Sequence, residues 1–147
     1  MTFSGTLREL TAADRQAWDR LWAGYLAFYS ASVPDAVSAA TFQRLLDPAE
    51  PLFALVAEQD GAVIGIVHCV LHASTWTLAP YCYLSDLFVD PAVRGSGAGR
   101  ALIEAVYARA ETLGAARVYW LTHESNTAAR ALYDKVARNL GFIQYRN

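Results

Sequence analysis

Residues 87–99 read Leu-Phe-Val-Asp-Pro-Ala-Val-Arg-Gly-Ser-Gly-Ala-Gly and lead straight into the amphipathic stretch Arg100–Leu113. An apolar strand, a tight turn, an arginine, a glycine-spaced loop and a helix start follow one another without a gap. Glycines at alternate positions let backbone N–H groups converge without Cβ interference. The helix start adds unpaired first-turn donors and the positive end of its dipole. Gly95, Ser96, Gly97, Ala98, Gly99 and Arg100 are therefore expected to cradle an anion, with Arg94 as a fixed charge beside them. A diphosphate is the guest that such a loop fits.

Two common phosphate-binding arrangements fail on spacing. A nucleoside-triphosphate loop needs Lys followed by Ser or Thr after its last glycine, and Arg100-Ala101 stand there instead. A dinucleotide fold needs Gly-x-Gly-x-x-Gly near the start of repeated strand–helix units. Here the glycines come two-thirds of the way along the chain, with too little sequence after them. A pyrophosphate clamp for coenzyme A remains.

The rest of the chain supplies an α/β frame for that loop. Residues 3–8 predict a short strand, and Thr11 to Asp14 resemble a capping box opening a helix. Trp18, Leu21, Trp22, Tyr25 and Phe28 recur on one helical face and read as core rather than as a ligand cage. A second helix is expected over 37–46. Strands follow at 52–58 and 62–72, joined by the hairpin signal Asp60-Gly61. The strand Tyr81–Val89 is apolar on both faces, as in a covered, central position. The helix over 97–113 turns Leu102, Val106, Ala110 and Leu113 inward, and Gly114 stops it. After a strand at 116–122, Asn126 opens a helix with Ala129, Leu132, Tyr133, Val136 and Leu140 on one side. Gly141 ends it, and Phe142–Arg146 reads as a last short strand. Residues 1–147 form a single domain with a mixed, mostly antiparallel central sheet flanked by helices.

A formal net charge of −2 at pH 7 leaves no electrostatic footprint for nucleic acid or for an anionic membrane. There is neither a membrane-length apolar run nor a signal-peptide pattern, so a cytoplasmic setting is expected. Cys69 and Cys82 lie in strand-like segments and are expected to be reduced. His68 and His72 on one strand would stand about 13 Å apart, too far to share an ion, so no metal site is expected.

Arg94-Gly95-Ser96-Gly97-Ala98-Gly99 matches the Arg/Gln-x-x-Gly-x-Gly/Ala signature of the GCN5-related N-acetyltransferase (GNAT) family. A second block, Asn126 through Ala129, Leu132-Tyr133 and Gly141-Phe142, resembles that family's other acetyl-CoA segment. The element order also resembles the family's acyl-CoA N-acyltransferase fold, so the likeness covers nearly the whole chain. Tyr83–Val89 and the segment from Val118 to Tyr133 are most similar to the yeast histone and D-amino-acid acetyltransferases, and more distantly to spermidine/spermine acetyltransferases.

The resemblance implies an acetyl-CoA-dependent N-acetyltransferase in which an amine of a small molecule or peptide attacks the thioester directly. A distortion in the strand before the glycine loop would open a gap for pantetheine. The backbones of Leu87, Phe88 and Val89 would line that gap. Arg94 to Arg100, Asn126 and Ala129 would complete the cofactor site. Asn126 also suits a helix N-cap, and the two roles are compatible.

Tyr133 stands where the family commonly has a tyrosine that protonates the departing thiolate. The alternative is a core tyrosine. A phenol of pKa about 10 is a modest donor toward a thiol of pKa about 8.5, so geometry must assist. The polyamine-acetylating relatives carry a glutamate at the place of Ser85. A serine takes up no proton at neutral pH, which leaves Asp86, His123, Glu124 or solvent as the base. Tyr29, Ser85, Asp86 and His123 are the candidates for the acceptor side. A noncatalytic acyl-CoA-binding domain is the competing function. A homodimer is expected from the exposed edge that the strand Phe142–Arg146 would leave.

Overall fold

A computed structural model describes residues 2–147. Its elements are β1 (Thr6–Glu9), α1 (Arg15–Phe28), α2 (Asp35–Leu46), β2 (Leu52–Gln59), β3 (Ala62–His72), β4 (Tyr81–Val89), α3 (Ala98–Thr112), β5 (Arg117–Tyr119) and α4 (Thr127–Val136). The strands form one sheet in the order β1-β2-β3-β4-β5. The first four run antiparallel, while β5 runs parallel to β4, to which α3 connects it. Asp60 and Gly61 both adopt positive φ and make the tight turn between β2 and β3.

Both faces of the sheet are covered, which explains why β2, β3 and β4 are apolar at consecutive positions. On one face, Trp18 and Leu21 of α1 and Phe42 and Leu45 of α2 pack on Ala54, Val56, Ile66 and Phe88. On the other, Leu102, Ile103, Val106 and Ala110 of α3 pack on Leu55, Ala57, Val67, Cys69, Cys82 and Leu84. The expected inward stripe of α3 holds except at its end. Leu113 is the C-cap residue and lies exposed, while Ile103 and Ala98 are buried in its stead. Cys69 and Cys82 are buried free thiols.

The C-terminal segment differs from expectation. The helix ends at Val136 rather than Leu140, because Ala137 turns extended after its N–H reaches the Tyr133 carbonyl at 2.8 Å. The residues from Phe142 to Arg146 form no strand, since no neighbouring strand is there to complete a ladder. Phe142, Ile143 and Tyr145 are exposed. The strand expected over 116–122 is likewise cut to Arg117–Tyr119, the part of it that pairs with β4.

The entry into α1 is fixed by charge. Asp14 accepts hydrogen bonds from two nitrogens of Arg8, at 2.8 and 2.9 Å, and from the Thr11 main-chain N–H at 2.8 Å. The Arg8 guanidinium holds the Asp14 carboxyl at about 2, against an ordinary 3.8, and outweighs the opposing effect of burial. A carboxyl lowered on folding contributes stability above its unfolded pKa and loses it as pH falls through the folded value. Asp14→Asn is expected to cost about 1–2 kcal/mol near neutral pH. The gap to wild type should close between pH 3.8 and about 2. Urea midpoints of both proteins across that range check this, and a constant gap would show that charge is not the cause.

Candidate active site

The loop between β4 and α3 is built to leave donors free. Asp90 begins it, accepting the Ala92 N–H through Oδ1 and Arg20 through Oδ2, each at 2.9 Å. Gly95 and Gly97 take φ of 85° and 86°, the left-handed region that favours glycine. The chain thereby turns tightly ahead of α3. The N–H groups of Gly95, Gly97, Ala98, Gly99 and Arg100 have no partner among the described residues, whereas Ser96 N–H reaches the Val93 carbonyl. The Ser96 hydroxyl is buried and also unpartnered. Five free amides, an orphaned hydroxyl and the N-terminus of a 15-residue helix fit a pyrophosphate.

Arg94 is engaged elsewhere. Its guanidinium lies 5.8 and 5.6 Å from the ring centroids of Phe28 and Phe88, within a cavity of about 370 Å³ that α1 shares with the loop. This contact fastens the loop to α1. Gly24 permits that approach, because a Cβ there would fall 2.7 Å from the Phe88 ring.

Beside the loop, β4 is open. Its pairing with β5 stops at Tyr83↔Tyr119, so Leu84–Val89 have a neighbour only in β3. Asp90 donates its N–H to the Ile64 carbonyl of β3 at 2.8 Å. By the period-two alternation of a strand, Phe88 also directs its main-chain groups to β3, and Leu87 and Val89 direct theirs into the gap. Of the three residues expected to line the gap, two therefore face it. Phe88 instead contributes its ring to the core.

The second motif comes down on the first. A Cβ on Gly99 would lie 3.6 Å from Leu132 and 3.9 Å from Val89, so α4 meets the first turn of α3 and the end of β4 at one point. Tyr133, next to Leu132, packs edge-on against Trp120 with ring centroids 5.4 Å apart. Burial, and to a smaller extent Tyr29, raises its pKa and keeps the hydroxyl protonated. Ala129 is half-buried one turn earlier. Asn126 occupies the N-cap position of α4 but does not cap it. Its Nδ2 donates to Thr122 Oγ1 at 3.1 Å, because its backbone geometry turns the side chain back across the β5–α4 loop.

On the α1 side of the gap stands Asp86. Its Oδ2 lies 3.0 Å from His68 Nδ1 and 3.2 Å from the Ser85 hydroxyl. The hydrogen bond from His68 leads the forces that lower its pKa, and Tyr25 and Ser85 add to it, together overcoming a larger desolvation effect. Tyr29, at the end of α1, faces His123 of the β5–α4 loop at 6.4 Å between ring centroids. The structure thus brings Ser85, Asp86, Tyr29 and His123 to one side. His68, Trp18, Tyr25 and Tyr83 join them although the sequence marked none as functional. Trp18 and His68 are 50 positions apart, and no local pattern links them.

Replacing Gly97 with valine is expected to abolish acetyl-CoA binding, because valine disfavours the required φ and its side chain enters the cradle. A folded Gly97→Val protein with unchanged affinity by calorimetry would remove the loop from the site.

Residues 18–142 match the Acetyltransferase (GNAT) family. The chain is 36% identical over 142 residues to the D-amino-acid N-acetyltransferase HPA3 of Saccharomyces cerevisiae, covering 95% of this chain and 88% of that protein. Its fold is similar to that of the ribosomal-protein-alanine N-acetyltransferase of Brucella melitensis, with a TM-score of 0.78 at 22% identity and 98% coverage of each chain. It is also similar to the aminoglycoside N-acetyltransferase AAC(6')-Iy in complex with CoA, with a TM-score of 0.78 at 22% identity, over 100% of this chain and 97% of that one. With a loop of free amides and an opened strand beside it, the chain belongs to the Acetyltransferase (GNAT) family and is an N-acetyltransferase that uses acetyl-CoA as its acetyl donor.

Proposed function

We propose that this enzyme acetylates the primary amine of a small molecule or peptide by direct attack of the neutral nitrogen on the thioester. The observation that carries this reading is the convergence at Gly99 of the free amides of the loop, the open edge of β4 and the helix bearing Tyr133. The loop amides and the Ser96 hydroxyl hold the pyrophosphate. Leu87 and Val89 offer main-chain groups to the pantetheine arm and polarise the thioester carbonyl. Tyr133 protonates the departing thiolate, and the proton lost by the attacking nitrogen passes to Asp86, His123, Glu124 or solvent. The amine arrives from the α1 side, past Tyr29 and His123, and meets Asp86. Ala129 and Asn126 shape the wall of the cofactor channel, Asn126 by bracing its loop through Thr122. The similarity to a D-amino-acid acetyltransferase makes amino acids of both hands the first acceptors to assay.

We also propose a cytoplasmic homodimer. Two buried thiols left unjoined in neighbouring strands support the reducing compartment. The dimer rests on the apolar C-terminal segment, where Phe142 is 85% and Tyr145 89% exposed, and on the β5 edge that no strand covers. The same segment of a second copy is the occupant that would bury these side chains.

Thiol release from acetyl-CoA across a panel of amino acids, polyamines and lysine peptides tests the activity. Release with none of them, alongside tight acetyl-CoA binding, would support the noncatalytic reading. Tyr133→Phe is expected to lower kcat by about 10²–10⁴-fold with little change in acetyl-CoA affinity. Wild-type kcat in that variant would leave Tyr133 a packing residue. Light scattering should give twice the 16.1 kDa chain mass at micromolar concentration, and a mass that stays at 16.1 kDa as concentration rises would reject the dimer.

A further inference from the structure

The side chain that meets the acceptor is held by a buried relay. Trp18 is fully enclosed and donates its indole N–H to His68 Nε2 at 2.9 Å. An occupied Nε2 is an acceptor, so the ring proton sits on Nδ1 and is donated to Asp86 Oδ2 at 3.0 Å. The ring packs against Trp18 and Trp22, which stack on each other, with centroids 5.9 and 5.4 Å away. Oδ2 of Asp86 is thus committed to His68 and the Ser85 hydroxyl, and Tyr25 adds a third donor to the same carboxylate.

The charge around Asp86 is unbalanced. Its neighbours His68, Ser85 and Tyr25 are donors without a permanent positive charge, and no lysine or arginine among the described residues pairs with it. A carboxylate that is only 21% exposed, with no cationic partner, selects a cation. The walls suit the same guest. Tyr25 and Tyr29 stand 5.0 Å apart by ring centroid, and both feel the Asp86 charge, as does Tyr83 on β4. Aromatic rings gathered near an anion favour an ammonium over an uncharged group of the same shape.

Resting on the acetyltransferase reading, we propose that Asp86 and the rings of Tyr25, Tyr29 and Tyr83 bind the acceptor as its ammonium form, and that His68, fixed by Trp18, is the positioning residue that aims the carboxylate. The acceptor class is then a primary amine that is protonated on arrival, gives that proton to solvent before its neutral nitrogen attacks, and carries an apolar substituent against the tyrosines.

The test uses an unreactive cation, so that binding is read apart from turnover. Butyltrimethylammonium and its uncharged carbon isostere are titrated into the full-length protein in the presence of coenzyme A. Wild type is expected to prefer the cation by about tenfold or more, and Asp86→Asn should erase the preference. An asparagine at 68 places an amide nitrogen near the position of Nδ1, whereas a glutamine reaches that of Nε2. His68→Asn should therefore keep the preference within about threefold, and His68→Gln should lose it. In kinetics, His68→Gln should raise the KM for butylamine about tenfold while kcat and the acetyl-CoA KM hold.

Equal binding of cation and isostere by wild type overturns the pocket and needs no variant. A glutamine that preserves the preference while asparagine loses it overturns the positioning role and leaves His68 a partner for Trp18. Preference for the cation without any thiol release from acetyl-CoA would uphold the pocket and refute the proposed function instead.

Discussion

Ser85 has no cross-strand partner. His68 lies opposite Asp86 and Cys69 opposite Leu84, so β4 carries one residue more than β3 at this point. A single extra residue inverts the faces of everything beyond it. Before the bulge, Cys82 and Leu84 face α3; after it, Asp86 and Phe88 face α1, and Leu87 and Val89 take the α3 side. Were Ser85 paired with His68 in regular register instead of bulged out, Asp86 would lie opposite Val67 and point into the apolar core beneath α3. The bulge also bends β4 away from β5, whose pairing ends at Tyr83. One irregularity therefore makes the gap for the cofactor and delivers the carboxylate to the acceptor side.

The two faces of the sheet supply different kinds of chemistry. The α3 face offers backbone donors at the loop, which suit an anion. The α1 face offers a carboxylate beside aromatic rings, which suits a cation. Arg94, stacked on Phe28 and Phe88, binds the two halves together, since it anchors the phosphate loop to the helix that also carries Tyr25 and Tyr29. Displacement of α1 would disturb both sites at once, so the aromatic face of this helix has a structural and a binding role. Trp18 serves the core fully enclosed, while Tyr29 at the far end is 39% exposed and reaches the rim.

Much of this was legible in the chain because it is encoded locally. The glycine spacing, the strand before it and the helix after it sit within about 25 residues, and local geometry alone determines that free N–H groups converge there. The hairpin at Asp60-Gly61 and the strands Ala62–His72 and Tyr81–Val89 follow from turn chemistry and apolar runs for the same reason. The C-terminal segment was misread where local signals lacked a partner. Residues Phe142–Arg146 have the composition of a strand, but a strand exists only when another strand accepts its hydrogen bonds.

What the sequence by itself determined is the phosphate cradle, the order of elements and the membership of Tyr133 in an inward helical face. Each depends on residues near one another in the chain. The tertiary structure alone decided that Arg94 lies against two phenylalanines, that Asn126 braces Thr122 rather than capping its helix, and that Trp18, His68 and Asp86 form one line of hydrogen bonds. The last of these joins α1, β3 and β4 across separations of 50 and 18 positions. Such contacts arise from the register of the sheet and the pitch of the helix packed on it, and these are set only when the whole core closes.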